Sequence, residues 1–184
     1  MDLPLLLTAL CSLDGVLPMI PSEAAVLAAG VYARSSLLAV VLATAVGVFI
    51  GDHLAYGLSR SVLGPRLLRR SEKARRAVST MAGPRAGALI VASRFLPGGR
   101  VTANLACGTA RLPLRRFSPA SAVAALAWAA YTVGLGYAGG AAFADSPLLA
   151  VAAGLGMSFL FGAAAELMRR RVSRPARSAA PAAR

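Results

Sequence analysis

The chain has 184 residues, is 57% hydrophobic, and carries a formal net charge of +13 against only seven acidic residues. So much apolar surface excludes an ordinary soluble domain, whose exterior needs dispersed polar groups. The charge distribution excludes a nucleic-acid face: eight of the 20 basic residues fall within 60–85, three within 111–116 and six within 169–184, with uncharged runs between them. Clustered Lys/Arg between apolar segments marks the cytoplasmic flanks of membrane spans.

Taken in chain order, residues 3–13 and 24–33 form two short apolar runs separated by "DGVLPMIPSE". Runs of ten or eleven residues are too short to cross a bilayer, and Pro18 and Pro21 interrupt any helical ladder joining them. Residues 3–33 therefore read as a helical hairpin that dips into the membrane and returns. Residues 37–58 follow as a spanning helix that tolerates Asp52 and His53 near its end, and 60–85 is a basic cytoplasmic segment. A second hairpin spans 86–110, with arms 86–93 and 101–110 broken by "RFLPGG" and Arg100. Further spans are expected at 119–140 and 147–167, followed by a basic, Pro- and Ala-rich tail at 169–184 that reads as disordered and in contact with anionic lipid. No basic n-region or cleavage site suggests a removable signal peptide.

This places every basic cluster on one side and gives the two hairpins opposite orientations. "PSEAAVLAAGVYAR" and "PGGRVTANLACGTAR" both run from a proline through a small apolar arm to Gly and then Arg. The fold class is thus all-α and integral to the membrane. It comprises two inverted re-entrant hairpins, each followed by a transmembrane helix, and a C-terminal transmembrane helix. Residues 1–168 form one membrane domain. Inverted broken-helix repeats are a transporter device, with the substrate site where the breaks meet.

If the breaks meet, Asp14, Glu23, Arg94 and Arg100 converge within the membrane. Each charge alone costs roughly 2.5–3.5 kcal/mol there, whereas two acids and two bases neutralise one another. Such pairs could simply pin the hairpins together. They could also form an anion site, because guanidinium offers a planar fork of donors matched to phosphate. Gly98 and Gly99 would let backbone N–H groups approach the same anion. Glu23 and Asp14 then serve as counter-charges that an arriving phosphate displaces, with protonation easing the exchange. Asp52 is a further proton-coupling candidate. His53 beside it reads as an interfacial residue, and Trp128 and Tyr131 as packing. Cys11 and Cys107 have no metal-like spacing and read as small buried residues.

"IPSEAAVLAAG", "GDHLAYGLSRSVLGPRLL" and "SRFLPGGRVTANLACGTARLPLRRF" together resemble the DedA family of bacterial membrane proteins, whose membrane domain is shared with eukaryotic VTT/SNARE-associated proteins. The resemblance runs from about Asp14 to Gly140. It departs from the family pattern at Ser93, Cys107 and Asp14, where Gly, Ala and Glu are usual. It implies opposed re-entrant hairpins in the cytoplasmic membrane of a bacterium, and functional acids and arginines at Asp14, Glu23, Arg94 and Arg100. It also implies movement of lipids such as undecaprenyl phosphate or phosphatidylethanolamine between leaflets.

The expected function is a multi-pass lipid transporter with a lipid phosphate head group as its partner, protons as a candidate coupling ion, and neither cofactor nor metal. A homo-oligomer is compatible with this composition. No nucleophile set or phosphate-binding loop points to an enzyme. The competing classes are a membrane enzyme acting on lipid phosphates and a scaffold whose buried ion pairs only hold the fold.

Overall fold

In the computed structural model the described residues are 2–17, 22–32, 36–63, 72–96 and 98–142, with single helical positions at 152, 156 and 160. All regular elements among them are helical: α1 Leu3–Asp14, α2 Ser22–Tyr32, α3 Leu37–Leu58, α4 Glu72–Met81, α5 Ala86–Ser93, α6 Gly99–Thr109 and α7 Leu114–Ala142. A π-helical turn, Ser59–Leu63, prolongs α3. Two helical stretches, Leu37–Ser61 and Leu114–Gly140, are long and apolar enough to cross a membrane. Along α3, Leu38, Leu42, Val46, Ile50, Leu54 and Leu58 form a continuous exposed stripe, while Val40, Thr44, Val48, Asp52 and Tyr56 are buried. The four-residue spacing puts each set on one helix face. An exposed stripe this long and apolar suits hydrocarbon rather than water.

The short helices keep the expected bounds closely, because proline, glycine and the ends of the apolar runs act locally. Each arm packs on a long helix more than on its hairpin partner. The first arm of each hairpin lies on the long helix that follows it (α1 on α3, α5 on α7), and the second arm lies on the other one (α2 on α7, α6 on α3). With α3 against α7, the contacts of the first half repeat in the second.

The α1–α3 seam shows how closely the backbones meet. Thr8 and Ser12 each place a hydroxyl between a carbonyl of their own helix and one on α3: Ala43 O at 3.1 Å for Thr8, and Gly47 O at 3.1 Å for Ser12. A Cβ on Gly47 would stand 2.5 Å from the Thr8 carbonyl oxygen, so only glycine permits this approach. Small residues and hydroxyl–carbonyl contacts are how helices associate where lipid removes the hydrophobic drive.

One expectation needs correction. The second long helix begins at Leu114, not at 119: the Pro113 carbonyl accepts the N–H groups of Arg116 and Phe117, and this starts the helix ahead of Pro119. Pro119 sits in the second turn, where its missing N–H removes one bond without ending the helix. Within the basic segment, α4 packs against α6 and turns Met81 toward a core of Tyr56, Ile90, Cys107, Leu112 and Phe117. The expected span at 147–167, apart from those single helical positions, and the tail at 169–184 lie outside the described residues.

Candidate functional site

Asp52 occupies the buried stripe of α3, with a side chain only 1% exposed. Its carboxylate collects five hydrogen bonds from three other elements. Arg94, in the turn after α5, donates end-on through Nη1 and Nη2 at 3.1 and 2.5 Å. From α6, Arg100 Nε donates at 3.1 Å and Asn104 Nδ2 at 2.7 Å, and from α7 Ser121 Oγ donates at 2.8 Å. Arg100 then reaches onward through Nη1 to Asp14, the last residue of α1, at 2.7 Å. Ser22, which opens α2, donates to the same Asp14 oxygen at 2.9 Å.

Asp14, Asp52, Arg94 and Arg100 thus form one charge-neutral chain joining both hairpins to both long helices. Such a network stands in a low-dielectric interior only because every charge has a partner, and removing one would leave another buried and bare. Satisfaction is nonetheless incomplete. Arg94 Nε and Arg100 Nη2 are buried donors with no hydrogen-bond partner among the described residues. Arg94 is the deeper of the two, its side chain 4% exposed against 16% for both Arg100 and Asp14.

The structure brings together Asp14, Arg94 and Arg100 as expected, but the fourth member is Asp52 and not Glu23. Glu23 lies half-buried in the first turn of α2 and makes no hydrogen bond or ion pair among the described residues. It is Ser22, one residue earlier, that faces Asp14. Gly98 caps the turn that precedes α6, and Gly99 opens that helix. Gly98 has φ 68°, a left-handed conformation that favours glycine. A Cβ on Gly99 would lie 2.3 Å from the Ser93 carbonyl oxygen, and the Gly99 N–H is already bonded to Leu96 O at 2.9 Å. The glycines shape the turn that sets Arg94 and Arg100 on the same carboxylate, Asp52.

His53 is packed between α3 and α7. Its ring lies against Phe49 and Phe117, Nδ1 is 2.8 Å from the Phe49 carbonyl, and Nε2 is 2.9 Å from Ser118 Oγ. A carbonyl only accepts, so Nδ1 carries a proton. His53 fastens α3 to α7 while Asp52, its neighbour in sequence, serves the polar cluster. Trp128 packs on the core and Tyr131 meets Phe95 edge-on at 6.0 Å.

Sequence reasoning missed Asn104 and Ser121. The available signal was position: Ser121, Ala125 and Ala129 share the four-residue stripe of α7 that is buried throughout.

The model of the VTT domain matches residues 20–138. Over 129 residues the chain is 36% identical to the inner membrane protein YohD of Escherichia coli (strain K12), a match covering 64% of this chain and 64% of that protein. The match therefore spans less than two thirds of the relative's length, and no solved structure matches. Two membrane-length helices, the paired short arms and a domain match over most of the described residues lead to one statement: the chain belongs to the DedA/VTT family of membrane proteins.

Proposed function

We propose that this protein moves a phosphate-headed lipid between the leaflets of the inner membrane, with the head group passing through the Asp14–Arg100–Asp52–Arg94 cluster. In this reading the α1–α2 and α5–α6 pairs are re-entrant hairpins entering from opposite faces, and the lipid tails stay in the bilayer. The observation that carries the proposal is the pair of buried guanidinium donors, Arg94 Nε and Arg100 Nη2, that lack partners among the described residues. A buried unpaired donor is costly, and a phosphate oxygen is the acceptor that guanidinium suits best. The names printed for the matched relative and domain support a membrane setting and leave the cargo open.

Asp14 is the carboxylate an incoming phosphate would displace. It is more exposed than Asp52 and binds Arg100 through one oxygen, whereas Asp52 is held by four side chains. Proton uptake by Asp14 would release the Nη edge of Arg100, which is how a pH gradient could drive the cycle. Undecaprenyl phosphate and phosphatidylethanolamine are the cargoes to compare. No covalent step is required of these residues.

Leaflet-resolved lipid flux in proteoliposomes, with and without a pH gradient, tests the proposal. Arg100→Lys keeps the charge, loses the fork and is expected to abolish flux while the protein stays inserted. Wild-type flux in this variant would discard the anion site. The two-bond Arg94–Asp52 contact favours one rival, a scaffold whose ion pairs only hold the fold. Joint replacement of Arg94 and Asp52 by apolar residues of similar volume separates the two: retained activity in cells supports the scaffold.

A further inference from the structure

A second group of arginines, apart from the central cluster, has no acidic partner among the described residues. Arg60 lies eight residues beyond Asp52, about 12 Å along the helix, and its Nη1 donates to Tyr56 Oη at 2.7 Å. Tyr56 in turn donates to the Leu112 carbonyl at 2.6 Å. This chain of bonds holds Arg60 beside the turn between α6 and α7, which carries Arg111. One turn further on, Arg115 and Arg116 open α7. All four arginines are exposed, and none pairs with a carboxylate among the described residues. Glu72, the one acidic residue between 53 and 144, is engaged by Arg75 and Arg76 on α4.

Arg111 adds a reason to look for a ligand. It has φ 53° and closes α6 with its N–H on Gly108 O and the Leu112 N–H on Cys107 O, both at 3.0 Å. Helices that end this way usually place glycine there. Arginine at this position carries a backbone cost that glycine would avoid, and its side chain is exposed on the same side as Arg60. The patch is also flanked by exposed Leu58 and Leu114. Cationic groups bordered by exposed leucines match a phosphate with hydrocarbon directly beneath it, and not a soluble ion.

We infer that Arg60, Arg111, Arg115 and Arg116 form a binding surface for the head group of an anionic phospholipid in the leaflet on the basic side of the protein. The inference is independent of the proposed transport cycle, and its test needs no flux.

The test is native mass spectrometry of the purified full chain, released from vesicles of phosphatidylcholine and phosphatidylglycerol in equal amounts. Wild-type protein is expected to retain phosphatidylglycerol selectively. Arg115→Gln with Arg116→Gln should lower that selectivity by about fivefold per arginine removed. Arg111→Gly should lower it too, while thermal stability in detergent is unchanged or higher because backbone strain is relieved. The charge-matched pair Arg75→Gln with Arg76→Gln should retain the lipid as wild type does. Equal loss in that control, undiminished retention in the Arg115/Arg116 and Arg111 variants, or displacement of the lipid by inorganic phosphate would each overturn the proposal.

Discussion

The α1–α2 pair meets the long helices backbone to backbone, whereas the α5 arm of the second pair meets them through side chains. A Cβ on Gly51 would stand 2.8 Å from the Ser12 carbonyl oxygen, and one on Gly136 would stand 2.3 Å from that of Leu27. On α5, a Cβ on Gly87 would find only the Ala120 Cβ, at an ordinary 3.8 Å. Charge also ties the second pair down: Arg94 and Arg100 both bind Asp52 of α3. The second pair thus uses both means: α6 approaches α3 closely, since a Cβ on Gly108 would stand 2.2 Å from the Tyr56 carbonyl oxygen, while the α5 arm and its turn are held largely by the ion network. The part fixed by charge is the part whose position a charged ligand, or a proton, can change.

The largest effect should come from removing the anchor of that network. Asp52→Ala leaves the Arg94 guanidinium buried and unpaired and leaves Arg100 with Asp14 alone, at a cost of about 3–5 kcal/mol. Thermal unfolding in detergent measures it, and a loss well under this range would mean that the second hairpin has other moorings. Next comes the shape-held half. Gly136→Ala must push the α2 backbone away and should cost about 1–3 kcal/mol, while Gly87→Ala should be neutral or gain up to about 1 kcal/mol in helix propensity. Equal outcomes for the two glycines would erase the contrast between the α2 and α5 arms. Asp14→Asn keeps a hydrogen-bond acceptor for Arg100 but removes one charge from a part-buried network, so it should cost about 1–2 kcal/mol, and it should alter the response of flux to a pH gradient. The smallest structural effect is expected of Glu23→Gln, which breaks no contact among the described residues. A flux loss in this variant with unchanged stability would show that the free carboxylate takes part in transport.

The sequence announced some of these features and concealed others for physical reasons. Arm boundaries were legible because they follow local rules: the α5 arm, 86–93, and the long helix, 37–58, were placed residue for residue. The family was equally legible in three ordered motifs. The identity of the second acid was not, because it depends on pairing across 42 residues between Asp52 and Arg94. Asp52 looked like the polar end of a span. The π-helical turn carries the helix on to Leu63, which leaves Asp52 well inside it. A carboxylate at the fourth step of a buried stripe, after Val40, Thr44 and Val48, was the available clue. Glu23 drew attention through its motif, although its neighbour Ser22 makes the contact. The helix α4 was hidden by its charge, since only Ala77, Val78 and Met81 hint at a buried face.

The ionic chain also orders events during biosynthesis. Both aspartates leave the ribosome before either arginine, with 86 residues separating Asp14 from Arg100. The N-terminal half must therefore wait with its acids unneutralised, near water or protonated, until the later segment arrives. Entry of that segment completes the molecule, so a nascent chain halted before Arg94 should remain poorly integrated in the bilayer and open to proteolysis.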